Sequence, residues 1–483
     1  MDMVIIFQPL PLLLFIIVFI TSAYFLLNHR RSSTTKNLPP GGSRWPIIGE
    51  TLEFLHKTPE NFIKHKIQKY SSQVFMTNIL GEPTAVFSGP AANKFIISNE
   101  HKLVKAWSPP SQRKLFRMSN SPAPAPAPKQ STSPSRPTGF LRPESRYVGL
   151  FDFLANKHLR RCLEGKEEAK VYHLAKAFTL TLACNYFMGM EDVGRAEKMV
   201  GKFDDLAMGI HSLSLNFPGT IFYRANKAVG ELRREIEAII MEKSVKMGDG
   251  VVMEDFLSQL IAGNQSGRKY MPPAKIVDTI IGLLTASYSS AATVITFMVK
   301  YTGERPDVYQ KILSEQSEIY SKRGSDDELG WDHIHKMKYT WAVACETMRL
   351  VPPLQGAFRE VLTDFDFAGF TISKGCKIYW ALNMPNKNPE YFKDPEKFDP
   401  SRFEEENNGG VKSHNIQPYT FIPFGGGPKM CSGKEYARLV ILTFIHNFVN
   451  KFKWQVLFPN EKILSSLIMP TPEQGLPVFL QPL

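Results

Sequence analysis

The stretch Phe421-Ile-Pro-Phe-Gly-Gly-Gly-Pro-Lys-Met-Cys-Ser-Gly-Lys-Glu-Tyr-Ala-Arg438 carries most of the chemistry in this chain. It reads as a glycine-rich loop that delivers one thiol, Cys431, to the start of a helix. The apolar side of that helix runs through Tyr436, Leu439, Val440, Leu442, Phe444, Ile445, Phe448 and Phe452. Backbone N–H groups and the helix dipole are expected to favour the thiolate. Three glycines let backbone pass close to something flat and large, Phe424 is placed to shield the sulfur, and Lys429 offers a cation to an anionic group. A phosphate loop would need a Lys-Ser/Thr pair after its final glycine, which is absent here. Gly425, Gly427 and Gly433 do not fit G-x-G-x-x-G, and no nearby histidine would serve a nucleophilic cysteine. A soft thiolate ligand to haem iron remains.

Phe424-x-x-Gly427-x-Lys429-x-Cys431-x-Gly433 resembles the haem-binding signature of the cytochrome P450 superfamily, F-x-x-G-x-R-x-C-x-G. Upstream, Glu346-Thr-Met-Arg349 is similar to the family's E-x-x-R element, and Phe398-Asp-Pro-Ser-Arg402-Phe403 to F-x-P-x-R-F, in the required order. The resemblance implies a mainly α cytochrome P450 fold with a small β-rich subdomain. It implies haem b with Cys431 as the axial ligand, Arg359 on a haem propionate, and Glu346 locked between Arg349 and Arg402. The surrounding residues, with Pro218-Gly-Thr220, resemble plant enzymes that oxidise triterpenes, sterols, diterpenes and abscisic acid, and most of all the β-amyrin 28-oxidase-like group. The implied reaction is monooxygenation of a small hydrophobic terpenoid, with electrons from an NADPH-cytochrome P450 reductase.

The chain departs from that pattern in three places. Where the family's buried helix carries [A/G]-G-x-[D/E]-T-[T/S], this chain has Ala286-Ser-Tyr-Ser-Ser-Ala291. Ser287 replaces the glycine, Ser289 the relay acid and Ser290 the relay alcohol. Ser290 keeps a hydroxyl, but Ser289 has no ionisable proton to give, so slowed or leaky monooxygenation is expected. Lys429 stands for the usual arginine and keeps the charge without the planar fork. Between Pro109 and Pro143 a proline-rich segment replaces a helix of the family, as a divergence or as a shifted frame or wrong splice. Two alternatives follow from these departures: a haem-thiolate isomerase or dehydratase that takes a preformed hydroperoxide, and a non-catalytic paralogue.

The elements that must position these residues are mostly helical. Leu232–Val245, Pro306–Ile319 and Lys336–Leu350 show apolar residues at three-to-four spacing. Strands are expected at Pro83–Ser88, Phe367–Ile372 and Lys377–Trp380. Thr279–Val299 has no charge, yet its hydroxylated middle suits a helix crossing a protein interior better than a membrane. Pro122-Ala-Pro-Ala-Pro-Ala-Pro128 cannot be helical, because each proline lacks an N–H and restricts its predecessor.

Val4–Leu27 carries no charged side chain and is long enough to span a bilayer. His29, Arg30, Arg31 and Lys36 follow it, so the body is expected on the cytosolic side. The reading is therefore a single-pass anchor at 1–27 in the endoplasmic reticulum membrane, a basic and proline-rich hinge at 28–42, and one enzyme domain at 43–483. Across 483 residues, 43% hydrophobic and 22% charged side chains exclude wholesale disorder and fibrous repeats. The net charge of +12 calls for an acidic partner, here a reductase face and lipid, not nucleic acid. Lys429, Lys434, Lys451 and Lys453 would suit that reductase face. Five cysteines without a C-x-x-C pair exclude a disulfide scaffold and a dithiol centre.

Overall fold

The computed structural model describes residues 15–16, 18–23, 37–42, 49–118, 145–265, 271–322, 329–404, 416–465 and 469–483. Most are helical, with small sheets at the margins. The chain divides into two compact units, one drawn from residues up to 87 with 101–107 and 358–380, the other from 88–100, 108–357 and 381–483.

A five-stranded sheet orders its strands Val74–Ile79, Glu82–Ser88, Lys377–Ala381, Ala357–Val361 and Val104–Ala106. The first two form a hairpin in which Leu80 and Gly81, at φ 56° and 80°, make the left-handed two-residue turn that matches strand twist. The same device corrects one expectation. Phe367–Ile372 is not a single strand but the turn of a hairpin, Phe365–Phe367 paired with Phe370–Ile372, because Ala368 and Gly369 are both left-handed. The end of the hinge is tied to this unit. Asn37 donates to the Gly369 carbonyl at 2.6 Å, its own carbonyl accepts from Thr371 N–H, and the Pro40 carbonyl accepts from Met76 N–H. A side chain at Gly41 would press into the Met76 carbonyl.

The second unit holds the helical core. Its longest helix, Pro273–Glu304, starts with proline at the first turn, where no N–H is needed. Every residue from Ala291 to Lys300 is buried, so this is an interior helix on all sides. Its hydroxyls pair along the helix: Thr285 donates to Ile281, Ser290 to Ala286, Thr293 to Ser289 and Thr296 to Ala292. That pairing removes the cost of burying them. The helix packs against Val171–Met188, Lys338–Leu350 and Lys434–Val449.

Helices are also found at Ile221–Gly248, Pro306–Lys322 and Lys338–Leu350, covering the three periodic stretches. The third begins two residues later than expected, because a separate short helix, Trp331–Lys336, ends before Met337. Phe452 leaves the last helix, which ends at Val449, and opens the strand Phe452–Val456. At the start of the proline-rich segment, Pro109 and Pro110 begin a short helix, Pro110–Leu115. The alternating prolines at 122–128 lie outside the described residues, as do Val4–Leu14 and the basic residues that follow the apolar run.

Candidate functional site

Cys431 is the exposed member of the five cysteines; Cys184 is buried and the other three are half-buried. Its backbone N–H donates to the Phe424 carbonyl at 2.8 Å, closing the loop into a fixed turn before helix Lys434–Val449. Gly425 and Gly427 sit at φ 68° and 63°, which only glycine adopts at no cost. At Gly427 a side chain would also come within 2.9 Å of the Ile97 carbonyl. This glycine is therefore needed for close approach to the chain's own helix Pro90–Asn99. The expectation for the thiol is corrected: partial burial pushes the Cys431 pKa up, and the Gly433 N–H only partly offsets it.

Phe424 stacks on Trp341 at 6.4 Å between ring centres, 15° from parallel. The Arg438 guanidinium lies over the other ring system of that stack, 5.2 Å from the Trp341 centroid. Lys429 is exposed on the turn Gly427–Lys429. The donor set fits a haem iron: one accessible thiol on a backbone held by its own hydrogen bond.

Ser289 and Ser290 face different surroundings. Ala286 is exposed and Ser287 and Ser290 are half-buried, so this side of an otherwise interior helix is open and carries only small groups. The Ser290 hydroxyl spends its proton on the Ala286 carbonyl at 3.0 Å and presents lone pairs outward. Ser289 is buried and lines a cavity of about 410 Å³ with Tyr172, His173, Lys176 and Asp204. Asp204 is ion-paired with Lys176 and accepts from the Tyr288 hydroxyl at 2.6 Å. Burial and the Asp204 charge drive the Tyr288 pKa far up, so this phenol stays protonated. The position that lacks a carboxylate thus shares its cavity with one from helix Val200–Ile210.

Glu346 and Arg349 are both fully buried and meet in a two-bond fork, each bond 2.7 Å. Arg349 also donates to the carbonyls of Asn386, Pro395 and Lys397, and Glu346 accepts from Asp399 N–H. Arg402 approaches Glu346 more loosely, at 3.5 Å, and its Nε makes no hydrogen bond. Burial raises the Glu346 pKa and Arg349 opposes it. Arg359 lies in the other compact unit, buried on strand Ala357–Val361, with its guanidinium 5.2 Å from the centre of the Trp380 ring.

The structure thus joins Glu346, Arg349 and Arg402, joins Phe424, Gly427, Cys431 and Gly433 in one loop, and separates Ser289 from Ser290. Trp341, Arg438, Asp204, Lys176 and Tyr288 were not singled out from the sequence. Tyr288 and Arg438 lie inside the quoted stretches but carry no motif position, while Trp341, Asp204 and Lys176 come from helices remote in sequence that only the fold brings in.

Comparison with known proteins adds the following. A family model described as Cytochrome P450 matches residues 39–477. A "Beta-amyrin 28-monooxygenase" of Vitis vinifera is 45% identical over 98% of this chain and 98% of its own length. A "Beta-amyrin 6-beta-monooxygenase" of Solanum lycopersicum is 41% identical with the same coverage of both. Among solved structures, the retinoic acid-bound cyanobacterial CYP120A1 aligns with a TM-score of 0.78 and 26% identity, over 93% of this chain and 100% of that one.

Proposed function

The chain belongs to the cytochrome P450 family, and from that premise we propose that it oxidises a triterpenoid of the β-amyrin type. It is a monooxygenase with a haem-thiolate cofactor. The observation that carries the substrate class is 45% identity to a β-amyrin 28-monooxygenase along nearly the whole of both chains. That relationship favours monooxygenation over the hydroperoxide isomerase or dehydratase reading and over a non-catalytic paralogue. Relatives are named for oxidation at two different carbons, so the oxidised carbon is read from the product. In microsomes carrying this chain and a plant reductase, β-amyrin with NADPH should yield a product one oxygen heavier. Turnover of no triterpene, with haem fully loaded, would reject the assignment.

When bound, haem supplies oxygen activation and oxidation of an unactivated C–H bond. Cys431 would hold its iron, with Arg359 and Lys429 on its propionates. The Cys431 sulfur would bind as the thiolate, the form that the Gly433 N–H favours. Trp341 and Phe424 stack on one another, Phe424 belonging to the loop itself. Ala286, Ser287 and Ser290 leave room beside the backbone of the long helix. On the far side of that helix, Asp204 holds an ionisable carboxylate beside Ser289, the position where the family's relay acid would stand.

The membrane and its partners complete the reading. Residues 1–27 form a single-pass anchor in the endoplasmic reticulum, 28–42 a hinge, and 43–483 a cytosolic enzyme domain. The helical conformation of residues 18–23 and the exposed Phe15, Val18, Phe19 and Ile20 support an anchor. Among the described residues the helix Pro273–Glu304 is also apolar enough to span a bilayer, but 67% of its most apolar window is buried in the protein. Electrons arrive from an NADPH-cytochrome P450 reductase, whose acidic face would meet Lys429, Lys434 and Lys453, which are exposed, more than Lys451, which is half-buried.

A further inference from the structure

We propose that His158, Cys162 and Glu197 form a binding site for one zinc ion, separate from the haem loop. His158 and Cys162 stand four residues apart on helix Ser145–Leu163, hence on one face, and the short helix Val193–Glu197 brings Glu197 against them. One ligand atom from each lies within 4.8 Å of the other two. The His158 Nδ1 to Cys162 Sγ distance is 3.9 Å. Tetrahedral zinc, with bonds of about 2.3 Å to sulfur and 2.0–2.1 Å to nitrogen, sets those atoms about 3.6 Å apart. A shift of a few tenths of an ångström brings His158 and Cys162 to that spacing, and the Glu197 carboxylate, within 4.8 Å of both, must turn toward them to complete the site.

The outer partners are already those of a metal ligand. His158 is buried and its Nε2 lies 3.1 Å from the Leu174 carbonyl. A carbonyl only accepts, so the proton sits on Nε2 and the Nδ1 lone pair points at Cys162. Ligating histidines are oriented by this kind of hydrogen bond. Arg161 is the competitor, since it holds both oxygens of Glu197 and lies 3.8 Å from Cys162 Sγ. Zinc needs one of those oxygens and leaves the other to Arg161. Coordination releases one proton from Cys162 to solvent. The thiolate and carboxylate then neutralise the two charges of the ion, and water takes the fourth position. The site ties the C-terminal turn of one helix to the next short helix.

The test uses the untagged, haem-loaded full chain, in which the iron occupies Cys431. Zinc is titrated in a chelator buffer while bound zinc is counted by atomic absorption and alkylation of Cys162 is followed by mass spectrometry. One zinc per chain should bind, and Cys162 should lose reactivity in step with it. Cys162→Ser and His158→Gln should each weaken binding on the order of 100-fold or more, and Arg161→Gln should tighten it by freeing Glu197. Zinc that leaves Cys162 of the wild-type chain fully reactive overturns the proposal without any variant. Binding unchanged in Cys162→Ser, or weakened in Arg161→Gln, also overturns it.

Discussion

At the scale of single residues, the loop around Cys431 needs one of its glycines more than another. Gly427→Ala forces a left-handed residue and a contact with the Ile97 carbonyl, so it should cost about 1–3 kcal/mol and release haem. Gly433→Ala sets its methyl an ordinary 4.0 Å from the sulfur, at a φ any residue adopts, and should retain haem. Haem content and melting temperature of the two variants check this, and equal losses would contradict it. Ser289→Asp brings a second carboxylate to the cavity of Asp204 and Lys176, restoring an acid on the helix itself. Peroxide released per NADPH should fall several-fold. If leakage and turnover stay unchanged, the missing acid does not limit the reaction. The spacing of Phe424, Gly427, Cys431 and Gly433 was legible because one short loop carries them all. The Ser290 hydroxyl's bond to Ala286 was not, since the direction of a hydroxyl is set by local helix geometry that spacing leaves open.

At the scale of elements, helix Lys338–Leu350 is held to the loops that follow it by the buried fork of Glu346 and Arg349. Glu346→Gln leaves a guanidinium buried without its counter-charge and should destabilise by about 3–5 kcal/mol. Arg402→Ala should cost less, because its contact is longer and lacks a hydrogen bond from Nε. Denaturant unfolding of the two variants gives the order, and a reversed order would contradict it. Helix positions were legible from apolar periodicity, as at Pro306–Lys322. Short strands were less so: Phe367–Ile372 read as one strand because its apolar residues hide a turn at Ala368-Gly369, where a non-glycine residue takes a left-handed conformation. Helix–helix partners such as Asp204 and Ser289 were beyond reach, since no sequence period encodes which helix faces which.

At the scale of the whole molecule, buried titratable groups set the response to acid. His211 has a buried, unpartnered Nδ1, and burial lowers its pKa to about 4, below the ordinary 6.5. Between those values the unfolded chain binds a proton that the folded chain refuses, so stability falls as pH drops from 6.5 towards 4. His211→Gln should remove about one proton from the slope of unfolding free energy against pH in that window; an unchanged slope would contradict it. Reductase-supported turnover should decline with rising salt if Lys429, Lys434 and Lys453 meet an acidic face, and removing those charges should flatten the decline. A net charge of +12 calls for an acidic partner but does not give its place on the surface. The expectations for haem retention and turnover rest on Cys431 as the ligand of a haem iron. The most direct measurement is the reduced, carbon monoxide-bound difference spectrum of the full chain beside Cys431→Ser. The wild-type protein should show the thiolate-type Soret band and the variant should lose it. A wild-type protein that takes up haem without that band, or a variant that keeps it, would contradict the account.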